Sequence, residues 1–298
     1  CESRVWAFFN EFASGMDAYL DYALGQNPDN RMPLWVKPDQ KISPKEVFDA
    51  MRSHYEGTPM DMTTDIGAGG NVSPYRWRPM EFEWEGETYF NERATATQQT
   101  AFWFVAQTRA DLPDPIGGVL WFGVDDAGTS ALTPIYCGTT EVPWCLDVRN
   151  GDMLHYSDES SFWIFNRIAQ FAYLRYDQVG AAVRQTADAW ENEMLLAVQQ
   201  FDERIMHNNY SERRIVREAT EFSVSHADEL FRKWVELDKY LLVKYMDGNV
   251  KVEEDGHFKS NGFDERIPVM PQFPGYSEKW KEAVVRDHGD VIRVPKAE

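Results

Sequence analysis

Residues 93–100, RATATQQT, bring amide and hydroxyl side chains together: Thr95, Thr97, Gln98 and Gln99, led by Arg93. Glutamine amides and threonine hydroxyls both donate and accept, so such a cluster can orient a peptide or another amide through hydrogen bonds. The cluster runs directly into Phe102, Trp103, Phe104 and Val105. A polar head on an apolar body predicts a central strand over 96–107. Its Thr/Gln end would open into a cleft, and Phe102 and Phe104 would be buried. A merely exposed strand end is the alternative.

Other residues offer different chemistry. Cys1 places a thiol at the first position of the chain, and Arg4 follows three residues later. Cys137 and Cys145 bracket a proline-containing turn, as one disulfide or as two buried thiols. Arg76 and Arg78 flank Trp77, an arrangement for cation–π packing or for clamping a carboxylate. Asn91 and Glu92 lead into the polar cluster. Asp125 and Asp126 follow an apolar strand and read as a turn in preference to a metal site. The six histidines are scattered and neither CxxC nor HExxH occurs, so no metal is expected. Gly67, Gly69 and Gly70 follow no strand and open no helix, so they read as a flexible loop and not as a phosphate site. No cofactor is expected, and no Ser/His/Asp set declares itself.

The elements that must position these residues follow from periodicity. Val5, Phe8, Phe9, Phe12, Met16 and Leu20 recur at helical spacing over 2–24. Ser43, Pro44 and Glu46 form a capping box for a helix to about Tyr55. From 79 to 137 the period changes to two. Phe82, Trp84, Gly86 and Tyr89 predict a hairpin, and strands follow at 96–107, 117–124 and 131–137 with short, antiparallel-type turns. Helices then dominate. One has the stripe Phe162, Phe165, Ile168 and Ala172; a second runs from Trp190 to Ile205; a third is capped by Ser225 and carries Leu230, Trp234, Leu237 and Leu241. The organisation is one domain: helices and sheet over 1–150, a helical layer over 157–247 and a polar tail over 248–298. Its class is α+β.

Composition narrows the partners. The net charge of −19 over 298 residues argues against a nucleic-acid partner and an anionic membrane surface. No apolar run nears the ~20 residues of a membrane span. Eleven tryptophans and 14% aromatic residues favour a large aromatic core over an aromatic-lined cleft. No signal peptide is visible, and the opening CESRVWAFFNEF has no initiator methionine, which reads as a processed, trimmed or fragmentary chain. The compartment stays open, with a periplasmic or secreted setting favoured over the cytoplasm.

Longer strings carry a resemblance. MPLWVKPDQKIS, MRSHYEGTPMDMT, SPYRWRPMEFE, NERATATQQTAFWFVAQTRADLPDPIGGVLWFGVDDA and YSDESSFWIFNRIAQFAYLRY resemble the C69 family of dipeptidases, which are N-terminal-nucleophile hydrolases. The resemblance spans about Cys1 to Tyr245. It implies a four-layer αββα sandwich and hydrolysis of dipeptides by an N-terminal cysteine whose own α-amino group serves as base. It implies a dipeptide as partner and leaves room for a homo-oligomer. The segment after Cys1, Glu-Ser-Arg-Val-Trp, departs from the Thr pair and Gly/Asp-Gly-Ser pattern that follows the family's nucleophile. The chain therefore resembles the C-terminal portion of such an enzyme, with the nucleophile expected in a missing N-terminal segment; Cys1 as nucleophile is the alternative. Ser3-Arg4 resembles a string in the choloylglycine-hydrolase and penicillin-acylase group, where the arginine supports the nucleophile electrostatically. The catalytic candidates are thus Arg4 and Cys1, and the substrate-binding candidates Thr97, Gln98, Gln99 and Arg93. Competing functions are a non-catalytic ligand-binding domain of the same fold and an amidase for another amide.

Overall fold

The computed structural model describes residues 2–75, 81–90 and 93–295. Helix α1, Glu2–Phe12, is shorter than its apolar periodicity predicts. Gly15 turns the chain at φ 83°, in the left-handed region that glycine tolerates, and a 3₁₀ turn over Met16–Tyr19 leads into α2, Leu20–Ala23. Two hydrogen bonds fold this corner back on α1: Ser3 Oγ donates to Ala23 O at 2.9 Å, and the buried Trp6 indole donates to Met16 O at 2.8 Å. Helix α3, Pro44–Met51, starts as expected. Glu46 N donates to Ser43 Oγ at 3.3 Å, and Ser43 N donates to the Glu46 carboxylate at 2.6 Å.

The hairpin forms from β1, Glu81–Trp84, and β2, Glu87–Phe90, around Glu85 and Gly86, which both have positive φ. Strands β3, Phe102–Thr108, β4, Gly118–Val124, and β5, Thr133–Tyr136, make an antiparallel sheet in the order β3-β4-β5. Then come α4, Ser161–Leu174, one π-helical turn at Tyr176–Gly180, α5, Ala181–His207, and α6, Glu212–Lys244. Helix α6 passes straight through Ser225, which caps nothing. Its hydroxyl instead donates to the Phe222 carbonyl at 3.1 Å, and the buried stripe from Ile215 to Leu241 continues on both sides. A small hairpin, β6 Glu253–Glu254 and β7 His257–Phe258, and α7, Glu278–His288, complete the α+β arrangement.

The core lies on one face of the sheet. Trp103, Trp121 and Tyr136 point inward from β3, β4 and β5. Trp121 meets Phe48 of α3 at 5.2 Å between ring centroids, and Tyr136 meets Phe201 of α5 at 5.0 Å and Phe222 of α6 at 5.5 Å. Behind them Phe165 stacks on Trp234 at 4.9 Å. The opposite face is covered only in part. Phe122 reaches a crevice lined by Phe165 and Leu230, whereas Phe102, Phe104 and Leu120 are 57%, 48% and 37% exposed. The expectation that Phe102 and Phe104 are buried fails because their side chains alternate with Trp103 onto the open face.

The sheet edges also differ. At β5, Tyr136 N donates to Ser223 Oγ of α6 at 3.0 Å, so a helix hydroxyl caps that edge. Among the described residues no strand pairs with the outer edge of β3. A second, smaller core gathers Trp6, Met16, Tyr55, Met60, Met62 and Ala94. Near it, a 3₁₀ turn at Ile66–Ala68 leads to Gly69 and Gly70, which the tail packs against; a Cβ on Gly70 would come within 2.6 Å of Tyr276, and Lys279 Nζ donates to Thr64 O at 2.5 Å. Cys137 and Cys145 are free thiols and not a disulfide; burial pushes Cys145 up to about 11.

One buried ion pair joins three parts of the fold. Arg52, just past α3, faces Glu191 of α5; Nη1 donates at 3.1 Å and Nη2 more closely. The same guanidinium donates to Ala127 O at 2.9 Å and to Ser130 O at 3.0 Å, and lies 4.7 Å above the Trp103 ring. Removing one partner strands a charge in the interior. Glu191→Ala is expected to cost roughly 3–5 kcal/mol in urea denaturation, while Arg52→Met/Glu191→Leu should recover part of that loss.

Candidate active site

The chain segment leading into the Thr/Gln turn is fixed to the residues just past α3. Ala96 N donates to Ser53 O at 3.2 Å, and the Tyr55 hydroxyl donates to Arg93 O at 2.5 Å. Directly after them, Thr97 to Thr100 is a turn, closed by Thr100 N donating to Thr97 O at 3.0 Å. Residues 96–101 are therefore not strand, which corrects the expected start of β3. Their backbone groups are instead taken up by distant partners, and extended pairing begins only at Phe102, opposite Val124.

The turn does bring Thr97, Gln98 and Gln99 together. Thr97 is buried and its hydroxyl donates to the Gln99 side-chain oxygen; Gln98 is half-buried and Gln99 exposed. Arg93 stands at the start of the segment with an exposed side chain. Arg4 is half-buried on α1, two residues before Trp6, whose core also holds Ala94. Cys1, Arg76, Trp77, Arg78, Asn91 and Glu92 lie outside the described residues.

Behind the turn is a buried network that periodicity and spacing did not single out. Gln98 N donates to the Tyr75 hydroxyl at 3.1 Å, and that hydroxyl lies 3.4 Å from the Tyr173 hydroxyl. Tyr173 donates to the Asp126 carboxylate in a short contact. His54 Nε2 is 3.0 Å from the same Tyr173 oxygen, and the Tyr176 hydroxyl is 3.3 Å from His54 Nδ1. The carboxylate fixes the sense of the Tyr173 bonds. Tyr173 gives its only proton to Asp126, so it accepts from His54 Nε2, while Nδ1 lies 3.3 Å from both the Tyr176 hydroxyl and the Glu56 carboxylate. Burial first, and then the Asp126 charge, raise the hydroxyl pKa values of Tyr75 and Tyr173; burial raises that of Tyr176 too. The three phenols therefore stay protonated as donors.

Close approach makes the network possible. A Cβ on Gly128 would come within 2.8 Å of His54 Cε1, so the loop after Asp126 can pass the imidazole only as glycine. On the other side of His54, Glu56 accepts from His54 N at 2.8 Å and lies 3.3 Å from Nδ1. Glu56, Arg52, Ser53, Tyr176 and Arg184 line a polar cavity of about 350 Å³ there. Asp125 and Asp126 form the expected turn, and no group of three or more His, Cys, Asp or Glu fit to hold a metal occurs among the described residues. The network residues His54, Tyr75, Asp126, Tyr173 and Tyr176 lie up to 122 positions apart; of these the sequence singles out only Asp126, as part of a turn. Four of them sit within the strings that carry the family resemblance, and Tyr75 does as well, which was the one signal available.

A model of peptidase family C69 matches residues 1–189, which contain the turn and the whole network. The chain belongs to peptidase family C69. It is 24% identical over 193 residues to dipeptidase A of Lactobacillus helveticus, covering 64% of this chain and 34% of that protein. It is 27% identical over 135 residues to a probable dipeptidase of Salmonella dublin, covering 45% of this chain and 25% of that one. The chain thus spans between a quarter and about a third of the length of these curated relatives.

Asp125 gives the site a pH signature. Burial pushes its carboxyl up to about 7; the neighbouring Asp126 charge adds to this, and the Asn166 amide, donating at 2.9 Å, opposes it. Its other oxygen, Oδ2, is buried without a hydrogen-bond partner. A carboxyl whose folded pKa exceeds its unfolded value binds its proton more tightly when folded. Stability is then fully present below about pH 4 and falls as pH rises toward 7. Asp125→Asn removes this penalty and suits the left-handed backbone, φ 65°. The variant is expected to exceed the wild type by on the order of 2–4 kcal/mol in urea denaturation at pH 8, and by little at pH 4.5.

Proposed function

We propose that these residues form part of a cysteine-type dipeptidase built as an N-terminal-nucleophile hydrolase. The observation that carries the reading is that the family match encloses a Thr/Gln turn fixed from behind by a buried hydrogen-bond network. A dipeptide presents one amide with a free amine and a free carboxylate beside it. Thr97, Gln98 and Gln99 offer donors and acceptors to the amide. The exposed Arg93 guanidinium suits the carboxylate. A cysteine thiolate attacks the amide carbonyl, its own α-amino group takes the thiol proton, and the amine leaves protonated. Arg4 is placed in the role of holding negative charge beside the thiolate.

The nucleophile is assigned to sequence outside these residues. Two observations support this. The matched regions amount to 25% and 34% of the relatives, so most of each relative lies outside the match. The sheet also presents Phe102, Phe104 and Leu120 on an open face beside the outer edge of β3, which no strand pairs among the described residues. In a four-layer αββα sandwich, a second sheet lies against such a face. Cys1 as nucleophile is the competing assignment.

Release of free amino acids from a dipeptide panel separates these assignments. Residues 1–298 alone are expected to show no cleavage. Co-production with the upstream part of the gene product should give cleavage that thiol reagents abolish. In that form Arg4→Ala should lower kcat by about 100-fold with little change in Tm. Robust cleavage by 1–298 that disappears in Cys1→Ala would move the nucleophile to Cys1. No thiol-dependent cleavage in either form would reject the dipeptidase reading.

A further inference from the structure

The backbone of the Thr97–Gln99 turn is held from one side by a single hydroxyl. Tyr75 takes the Gln98 N–H at 3.1 Å and lies 3.3 Å from the Ala96 carbonyl, so it spans both peptide groups flanking Thr97. Those groups would belong to a ladder if the strand began at 96. Here one side chain substitutes for the missing strand. The Tyr75 ring cannot drift, since it packs against Tyr173 at 5.2 Å and edge-on to His54 at 5.7 Å.

The hydroxyl is used in both senses: it accepts from Gln98 N–H and donates its one proton to Ala96 O. The Tyr173 hydroxyl lies 3.4 Å behind it and is itself fixed by donating to the Asp126 carboxylate. We propose that Tyr75, backed by Tyr173 and Asp126, is a positioning residue that fixes the Thr97–Gln99 turn in the conformation that receives the substrate amide. This rests on the reading of the turn as substrate-binding.

Two measurements test it. In the 298-residue chain, Tyr75→Phe keeps the ring and orphans the Gln98 N–H. Hydrogen exchange at Gln98 should accelerate by about tenfold, with the amides of β3–β5 and the Tm little changed. In the dipeptide-cleaving form, KM should rise by about tenfold with kcat within about twofold. Unchanged exchange at Gln98, or acceleration spread over the whole sheet, overturns the proposal. So does local acceleration with unchanged KM when Gln98→Ala raises KM. If Gln98→Ala and Thr97→Val both leave KM unchanged, the substrate assignment of the turn fails instead, and with it the positioning role. If no form cleaves dipeptides, the functional reading falls, and exchange still decides whether Tyr75 holds the turn.

Discussion

The Arg52–Glu191 pair is the interaction on which the rest is hung. It is buried at both ends and sits where α3, the 127–130 loop and α5 converge. Glu191 also accepts from Leu132 N at 3.2 Å, so the same carboxylate positions the entry to β5. A buried pair of this kind is tolerable only when both groups are fully engaged, and this one is. His54 follows Arg52 by two residues, and Gly128 follows Ala127 by one. Anchoring Arg52 to Ala127 therefore sets the imidazole and the loop that passes it from a common point.

From there the site is built by satisfying backbone groups with side chains. The Tyr55 and Tyr75 hydroxyls, with the backbone carbonyl of Ser53, bind peptide groups of the 93–98 segment, where a regular sheet would have used another strand. The result is a tight turn of polar side chains over a floor of tyrosines. Burial keeps that floor protonated, so it donates steadily where a histidine or carboxylate alone would change with pH. Asp125 is the exception, a carboxyl at the end of β4 with a left-handed backbone and an unpaired oxygen.

What could be read from the sequence was local. The capping box at Ser43, the Glu85–Gly86 hairpin turn and the strands near 118–124 and 133–136 each depend on neighbours a few positions away, and all three formed. Residues 96–101 were misread because their partners, Ser53 and Tyr75, are more than 20 positions distant. Ser225 looks like a cap only until its hydroxyl is seen to bond within a continuing helix. Phe102 and Phe104 were assigned to the core on hydrophobicity, although alternation with Trp103 left one face to be exposed. In the candidate site the Thr/Gln cluster was legible by composition. The network behind it was not, since His54, Tyr75, Asp126 and the Tyr173/Tyr176 pair come from four separate segments and leave no period.

The contacts of the tail with the 61–70 loop bear on the timing of synthesis. Lys279 and Thr64 are 215 positions apart, and Tyr276 meets Gly70 across a similar span. Closing so long a loop is entropically the last step to be favoured, and the ribosome delivers the two ends many seconds apart. The nascent chain can form the α3 corner, the sheet and the long helices first. Met60 and Met62 can already pack into the N-terminal core, but Thr64 and Gly70 lack their contacts with the tail until translation has passed residue 280. A chaperone or protease meeting the growing chain would thus encounter the 64–70 stretch without its C-terminal cover.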